Sequence, residues 1–269
     1  MKHEDVTIVI QGPLVNYWNA MAEGLAHVYD YLKFAERVII SSWDDSLERF
    51  EPNKLEQAIG HGNITLITDD INKYDDCYNN SNICYQVVSS LNGIKKVRTK
   101  YAIKVRSDEY YTDLSTFIDL MKSSPDKLTA NNFLFNPDSI EQFHPSDHIA
   151  GGYTENILGM YEKAFDLCKK FTGTEPISAD QIGIPDYRNI YNDGKISPES
   201  LLCFSFLMNK DVEIDCANSI GLMKEHVQML PLSEMGDFLC NIKGIGHKDY
   251  EVFLESPHGK NSIKSMEEL

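Results

Sequence analysis

The feature that most constrains this chain is a repeated local pattern. A short run of β-branched and apolar residues stops at a cluster of polar ones, and a stretch with helical spacing follows. Val6-Thr7-Ile8-Val9-Ile10 stops at Gln11-Gly12-Pro13, Arg37-Val38-Ile39-Ile40-Ser41-Ser42 at Trp43-Asp44-Asp45, and Ile64-Thr65-Leu66-Ile67-Thr68 at Asp69-Asp70. Tyr101-Ala102-Ile103-Lys104-Val105 stops at Arg106-Ser107-Asp108-Glu109. Runs this continuously apolar are strands buried on both faces, as in parallel sheets. Helical spacing over residues 16–34 and 82–97 supplies the crossovers. Strand alternating with helix gives right-handed βαβ units, so the expected class is α/β, with a Rossmann-like, mostly parallel central sheet flanked by helices. Ligands of such sheets bind beyond the carboxyl ends of the strands. Gln11, Asp44, Asp45, Asp69, Asp70 and Asp108 should therefore gather along one edge.

Past residue 115 the pattern loosens. Helices are expected over 115–123, 154–171 and 198–208, the last capped by Ser197, with a strand over 131–135 and a loop over 142–148 that runs on into Ile149-Ala150-Gly151-Gly152-Tyr153. A chain of 269 residues is long enough for one full core, so residues 1–269 are read as a single domain. The polar stretch 259–269 reads as a flexible tail.

An apolar fraction of 42% with 10% aromatic residues belongs to a globular chain. The formal charge of −16 argues against a nucleic-acid partner, which is bound mainly by neutralising phosphates. One stretch runs against the average: Lys95, Lys96, Arg98, Lys100, Lys104 and Arg106. It reads either as a solvated helix end or as cations set against an anionic phosphate ligand. Met1 to Asp5 lead straight into a strand without a secretion signal, and no apolar stretch approaches the roughly 20 residues of a membrane span, so any membrane contact is expected to be peripheral. The six cysteines are scattered, without C-x-x-C spacing. They read as buried thiols of a reducing, cytoplasmic setting.

Several short segments recur in a recognisable order: Ile10-Gln11-Gly12-Pro13-Leu14, Ile39 to Asp45 around Ser41-Ser42-Trp43, Asn82-Ile83-Cys84-Tyr85-Gln86 continuing to Ile94, Lys104-Val105-Arg106-Ser107-Asp108, and Phe143-His144-Pro145-Ser146-Asp147. Together, over most of residues 6–160, they resemble the WavE lipopolysaccharide-synthesis family of GT-A-like glycosyltransferases. The resemblance implies a GT-A-type fold with a nucleotide-sugar-binding half (6–114) and a smaller acceptor-side half (115–258). It implies a nucleotide-diphosphate sugar as donor and a glycan or glycoconjugate hydroxyl as acceptor. Gln11, Gly12 and Pro13 would form the loop under the nucleotide, Gly12 allowing close backbone approach. Asp44 or Asp45 would face the base or ribose, while Asn82 and Gln86, one helical turn apart, would face the donor together with Lys104 and Arg106. Gln86 is equally readable as a surface amide.

In GT-A enzymes a divalent cation neutralises the departing diphosphate. Here Mn2+ or Mg2+ would be held by Asp108 and Glu109, with His226 either a third ligand or an ordinary structural histidine. The chain departs from the usual Asp-x-Asp signature, since its triplet is Arg106-Ser107-Asp108. An inward-pointing Arg106 would take part of the neutralisation on itself.

The His144-x-x-Asp147-His148 cluster admits three readings: a zinc site, a plain turn around Pro145-Ser146, or a catalytic Asp147 acting as general base on the acceptor hydroxyl. Glu199 either serves the helix dipole of a first turn or belongs to the acceptor site as a second catalytic carboxylate. Two other functions stay in view. A sugar nucleotidyltransferase would normally carry a G-x-G-x-R loop where this chain has Gln11-Gly12-Pro13-Leu14-Val15. A catalytically inactive nucleotide-sugar or carbohydrate-binding structural domain is compatible with the altered acidic motif.

Overall fold

The computed structural model describes residues 2–13, 26–47, 62–78, 82–133, 142–173, 175, 177–188, 195–236 and 238–240. Four strands form the core of the sheet: β1 (His3–Gln11), β2 (Ala35–Trp43), β3 (Ile64–Asp69) and β4 (Tyr101–Arg106). β1 pairs in parallel with β2 and β4, and β2 in parallel with β3. Three shorter strands extend the sheet: β6 (Leu128–Asn131), β7 (Ile149–Tyr153) and β8 (Val227–Leu230). The seven-stranded order is β3-β2-β1-β4-β7-β6-β8. Only β7 runs against its neighbours, antiparallel to both β4 and β6, while β8 is parallel to β6. A separate two-stranded ribbon joins β5 (Glu109–Tyr111) to β9 (Phe238–Cys240). The expected α/β sheet, mostly parallel and flanked by helices, is therefore present, and strands from both expected halves share it.

Alternating residues of the strands feed two cores, as a sheet covered on both faces requires. Val9, Ile39 and Ala102 pack with helices α3 (Ile83–Ile94), α5 (Thr154–Lys170) and α6 (Pro198–Asn209). Ile8, Ile10, Ile40 and Ile103 pack on the other face with α1 (Ala26–Tyr31) and α4 (Ser115–Ser123). Two further helices are the short α2 (Asp44–Leu47) and α7 (Ser219–His226). Ser197 caps α6 as expected, its hydroxyl accepting from Ser200 N at 3.1 Å. Of the helix expected over 16–34, residues 14–25 lie outside the described residues, as do 241–258 and the tail 259–269. Among the described residues no helix is long and apolar enough to cross a membrane.

The strand expected over 131–135 lies earlier, at β6, and the residues after the 142–148 loop form β7. Two glycines in succession had masked that strand. At Gly151 an added Cβ would stand 2.9 Å from both Met121 Sδ and Phe117 Cε1, so α4 packs directly on strand backbone. Gly93 plays the same part for α3, where an added Cβ would lie 2.3 Å from Val9 Cγ1 and 3.1 Å from Ser41 Cβ. Gly93→Ala is therefore expected to destabilise by about 1–3 kcal/mol through overpacking, despite alanine's better helix propensity. A urea midpoint equal to or above that of the wild type would show that the helix can move away freely.

Candidate active site

Gln11 ends β1 beside Ser41 of β2 and Arg106 of β4, so three parallel strands deliver their carboxyl ends to one place. The turns beyond them are tied together. Ser107 N donates to Gln11 O at 2.8 Å, and Gly12 N to Ser41 O at 3.1 Å. Ser107 Oγ donates to Pro13 O at 2.7 Å. Gly12 has φ 114°, and an added Cβ there would lie 2.8 Å from Ser107 Oγ. Both facts call for glycine. Behind this loop the buried Gln11 accepts from Ser89 Oγ of α3 at 2.8 Å, and Ser41 Oγ donates to Ser89 O at 2.6 Å. Gln11 is thus a strut for the loop, while Pro13 is exposed, as are Asp44 and Asp45 beyond β2.

Because β7 is antiparallel, it enters the sheet where β4 leaves it: Val105 pairs with Ile149. The residues before β7 therefore meet the residues after β4. Arg106 grips Asp108 with two bonds of 2.9 Å, the bidentate geometry that suits a guanidinium. Its Nε is also 3.2 Å from Glu109 Oε1. Glu109 is fully enclosed, its Oε1 bonded to His148 Nδ1 and its Oε2 accepting from Tyr111 OH at 3.0 Å. Tyr111 OH in turn accepts from Asn131 Nδ2 at 3.3 Å. Asp147 is 6% exposed. Its Oδ2 accepts from Gln86 Nε2 at 2.5 Å, and its Oδ1 is buried without a hydrogen-bond partner, 3.7 Å from His148 Nε2.

The charges here oppose burial. Desolvation works against ionised Asp147, yet His148, Lys104 and Arg106, helped by the Gln86 hydrogen bond, hold its carboxyl below the ordinary carboxylate range. Desolvation likewise works against ionised Asp108, and Arg106 outweighs it, so this pKa is also lowered. Both carboxylates are bound more tightly in the folded than in the unfolded chain. Their stabilising effect is present above the unfolded carboxylate value of about 4 and is lost as pH falls below it. Thermal midpoints measured from pH 6 to pH 3 should fall less steeply in Asp147→Asn than in the wild type. Parallel curves would mean that Asp147 contributes no such linkage.

Lys104 corrects its sequence-based assignment to the donor. It is 0% exposed, its Nζ donates to the main-chain oxygen of Asp147 at 2.5 Å, and burial pulls its pKa down to about 8. It pins the 142–148 segment to the sheet. Residues 142–148 are buried throughout. The segment is not a zinc centre, for no group of three or more His, Cys, Asp and Glu converges as a metal site among the described residues.

The same finding bears on the expected Mn2+ or Mg2+ ligands. Asp108 and Glu109 both turn their carboxylates to Arg106. His226 directly precedes β8, which runs parallel to β6 and hence to β4. It therefore stands at the sheet edge where β4 begins, opposite the edge that carries Asp108. These three do not fit a divalent cation as a set, because a guanidinium occupies the place between the two carboxylates.

Gln86 faces the site through Asp147, whereas Asn82 is exposed in a left-handed conformation (φ 62°) at the start of α3. Glu199, in the first turn of α6, reaches back to the segment before β7, its Oε2 3.4 Å from His144 Nε2. Lys95, Lys96 and Arg98 are exposed beyond the carboxyl end of α3, Arg98 bonding Lys95 O and Val97 O. They form a solvated helix end at the edge away from the site. Sequence reasoning passed over Ser107, Ser89 and Tyr111. It reached His148 only as part of the cluster with His144 and Asp147.

No curated protein matches the chain. Among solved structures it is similar to HddC from Yersinia pseudotuberculosis, with 11% identity and a TM-score of 0.36 over 57% of this chain and 78% of that one. It is similar to an active-site mutant of LgtC, with 9% identity and a TM-score of 0.45 over 75% and 69%. The galactosyltransferase LgtC in complex with donor and acceptor sugar analogs gives 10% identity and 0.43 over 75% and 70%. The WavE lipopolysaccharide synthesis family model matches residues 6–220. That match takes in β1 to β4, the Gly12 turn, the Arg106–Glu109 segment and the Asp147–His148 pair, and the chain belongs to the WavE lipopolysaccharide synthesis family.

Proposed function

We propose that this protein transfers a sugar from a nucleotide-diphosphate sugar to a hydroxyl of a glycan or glycoconjugate in polysaccharide synthesis. The observation that carries the reading is the convergence, at one edge of a mostly parallel α/β sheet, of a strand-end glycine turn with Arg106 and the buried Asp147–His148 pair. Membership of a lipopolysaccharide synthesis family supports the same reading. The backbone of Gly12 and Pro13 admits a diphosphate closely. Arg106, at the end of β4 beside that turn, would bring positive charge toward the leaving group, and the exposed Asp44 or Asp45 would meet the base or ribose. Asp147 and His148 would serve the acceptor hydroxyl as it loses its proton. Cys77, Cys84, Cys168, Cys203 and Cys216 are thiols and not halves of disulfides, which supports a cytoplasmic setting.

The test is a panel of nucleotide sugars offered to purified protein with glycan and lipid-linked acceptors, with release of nucleoside diphosphate as the measurement. One donor class is expected to be turned over. Nucleotide binding without turnover across the panel would point to a binding domain instead. Chelation of divalent cations is expected to change nucleoside diphosphate affinity by no more than about threefold, under 1 kcal/mol, because the residues expected to hold the cation are committed to Arg106. A loss of a hundredfold or more, restored by Mn2+, would show that the carboxylates leave Arg106 for the metal.

A further inference from the structure

We propose that His148 is the catalytic base of this site, its Nε2 taking the proton of the acceptor hydroxyl while Glu109 acts as the positioning residue behind the ring. The proposal rests on the glycosyl-transfer reading and names the proton acceptor within it.

The imidazole is held from several directions. Its Nδ1 is bonded to Glu109 Oε1, and Phe133 stands edge-on to it with centroids 4.6 Å apart at 87°. Glu109 is itself immobilised by Arg106 Nε at 3.2 Å and by Tyr111 OH at 3.0 Å. Tyr111 is braced in turn by Asn131 Nδ2 at 3.3 Å. With the Glu109 carboxyl oxygen as acceptor, the hydrogen of the contact lies on Nδ1. Nε2 is thereby the free nitrogen of an oriented ring, in the carboxylate–imidazole relation by which a general base is given its tautomer.

Nε2 faces Asp147 Oδ1 across 3.7 Å, too long for a hydrogen bond and short enough for an ion pair. Oδ1 is buried and makes no hydrogen bond, which is uncommon for a carboxylate oxygen. Protonation of Nε2 resolves both features at once, because the imidazolium then lies between Glu109 and Asp147. Positive charge that develops on Nε2 as the proton arrives is attracted by both carboxylates, which favours the transition state over the ground state. Asp147 is a poor candidate to take the proton itself, since the cationic groups around it outweigh burial and hold its carboxyl below the ordinary carboxylate range, and its Oδ2 is occupied by Gln86.

In the step, the acceptor O–H bond breaks and its proton passes to Nε2. The oxygen forms a bond to the anomeric carbon, and the bond from that carbon to the diphosphate oxygen breaks, its electron pair leaving with the nucleoside diphosphate. A base acting on the incoming hydroxyl belongs to a single displacement, so the anomeric configuration inverts.

Product configuration is read by proton NMR on the wild-type enzyme, and kcat and donor KM on His148→Gln, His148→Gly and Glu109→Gln. Inversion is expected. His148→Gln should lose about 10²–10⁴-fold in kcat with donor KM changed less than about threefold, Glu109→Gln should lose at least tenfold in kcat, and added imidazole should restore part of the activity of His148→Gly. Retention of configuration would overturn the proposal without any variant having to fold. His148→Gln working within about tenfold of wild type would overturn it too, and both results leave glycosyl transfer standing. A wild-type protein that turns over no nucleotide sugar would remove the transfer reading and this proposal together.

Discussion

Glu109→Ala is expected to lower the stability of the fold by about 3–5 kcal/mol, the range found when one partner of a buried ion pair is removed. Its carboxylate is fully enclosed and is the common partner of Arg106, His148 and Tyr111. Alanine would leave an empty volume, an imidazole without its Nδ1 acceptor and a buried tyrosine hydroxyl without its own. Arg106 keeps Asp108 as a partner, which places the effect within that range rather than beyond it. Glu109→Gln retains the shape and one acceptor oxygen, so it should lose about 1–3 kcal/mol. Urea unfolding of the two variants separates a charge effect from a packing effect. An alanine variant within 1 kcal/mol of wild type would mean that the network does not hold β5 in place.

Asp147→Asn is expected to reduce turnover by about 10²–10³-fold, comparable to removal of a preorganised electrostatic group from a transition state. The amide is nearly isosteric but carries no charge. One of its orientations sets an N–H donor against Gln86 Nε2, and the other sets it against His148 Nε2. Either way the developing positive charge on the ring loses its second carboxylate. Donor affinity, measured by calorimetric titration, should change by less than about threefold, since no contact of Asp147 reaches the Gly12 turn. Turnover within tenfold of wild type would exclude Asp147 from the chemistry. A large loss of donor affinity would move it to the donor side.

Much of the donor half could be read locally. β1 to β4 are apolar runs of low ambiguity, and the helices at 83–94 and 154–170 show a clear apolar face. The polar residues that end each parallel strand reach one edge because parallel strands share a direction. The Gly12 turn and Arg106 were legible for that reason. The acceptor side was not, because β7 is antiparallel and nothing in Ile149-Ala150-Gly151-Gly152-Tyr153 records the direction of a strand. Its reversal carries His148 to Glu109 across 39 positions.

The sequence by itself determined that β1 to β4 form strands, where those four stop and which polar groups stand at their ends. These follow from periodicity and from the burial of apolar runs. Tertiary structure alone decided that Lys104 points inward to a backbone carbonyl, that Arg106 stands between the two acidic residues expected to bind a cation, and that His226 lies at the far edge of the sheet. Each of these depends on which strand lies beside which and in what direction. Charge pairing at a buried site is set by that proximity, not by nearness along the chain.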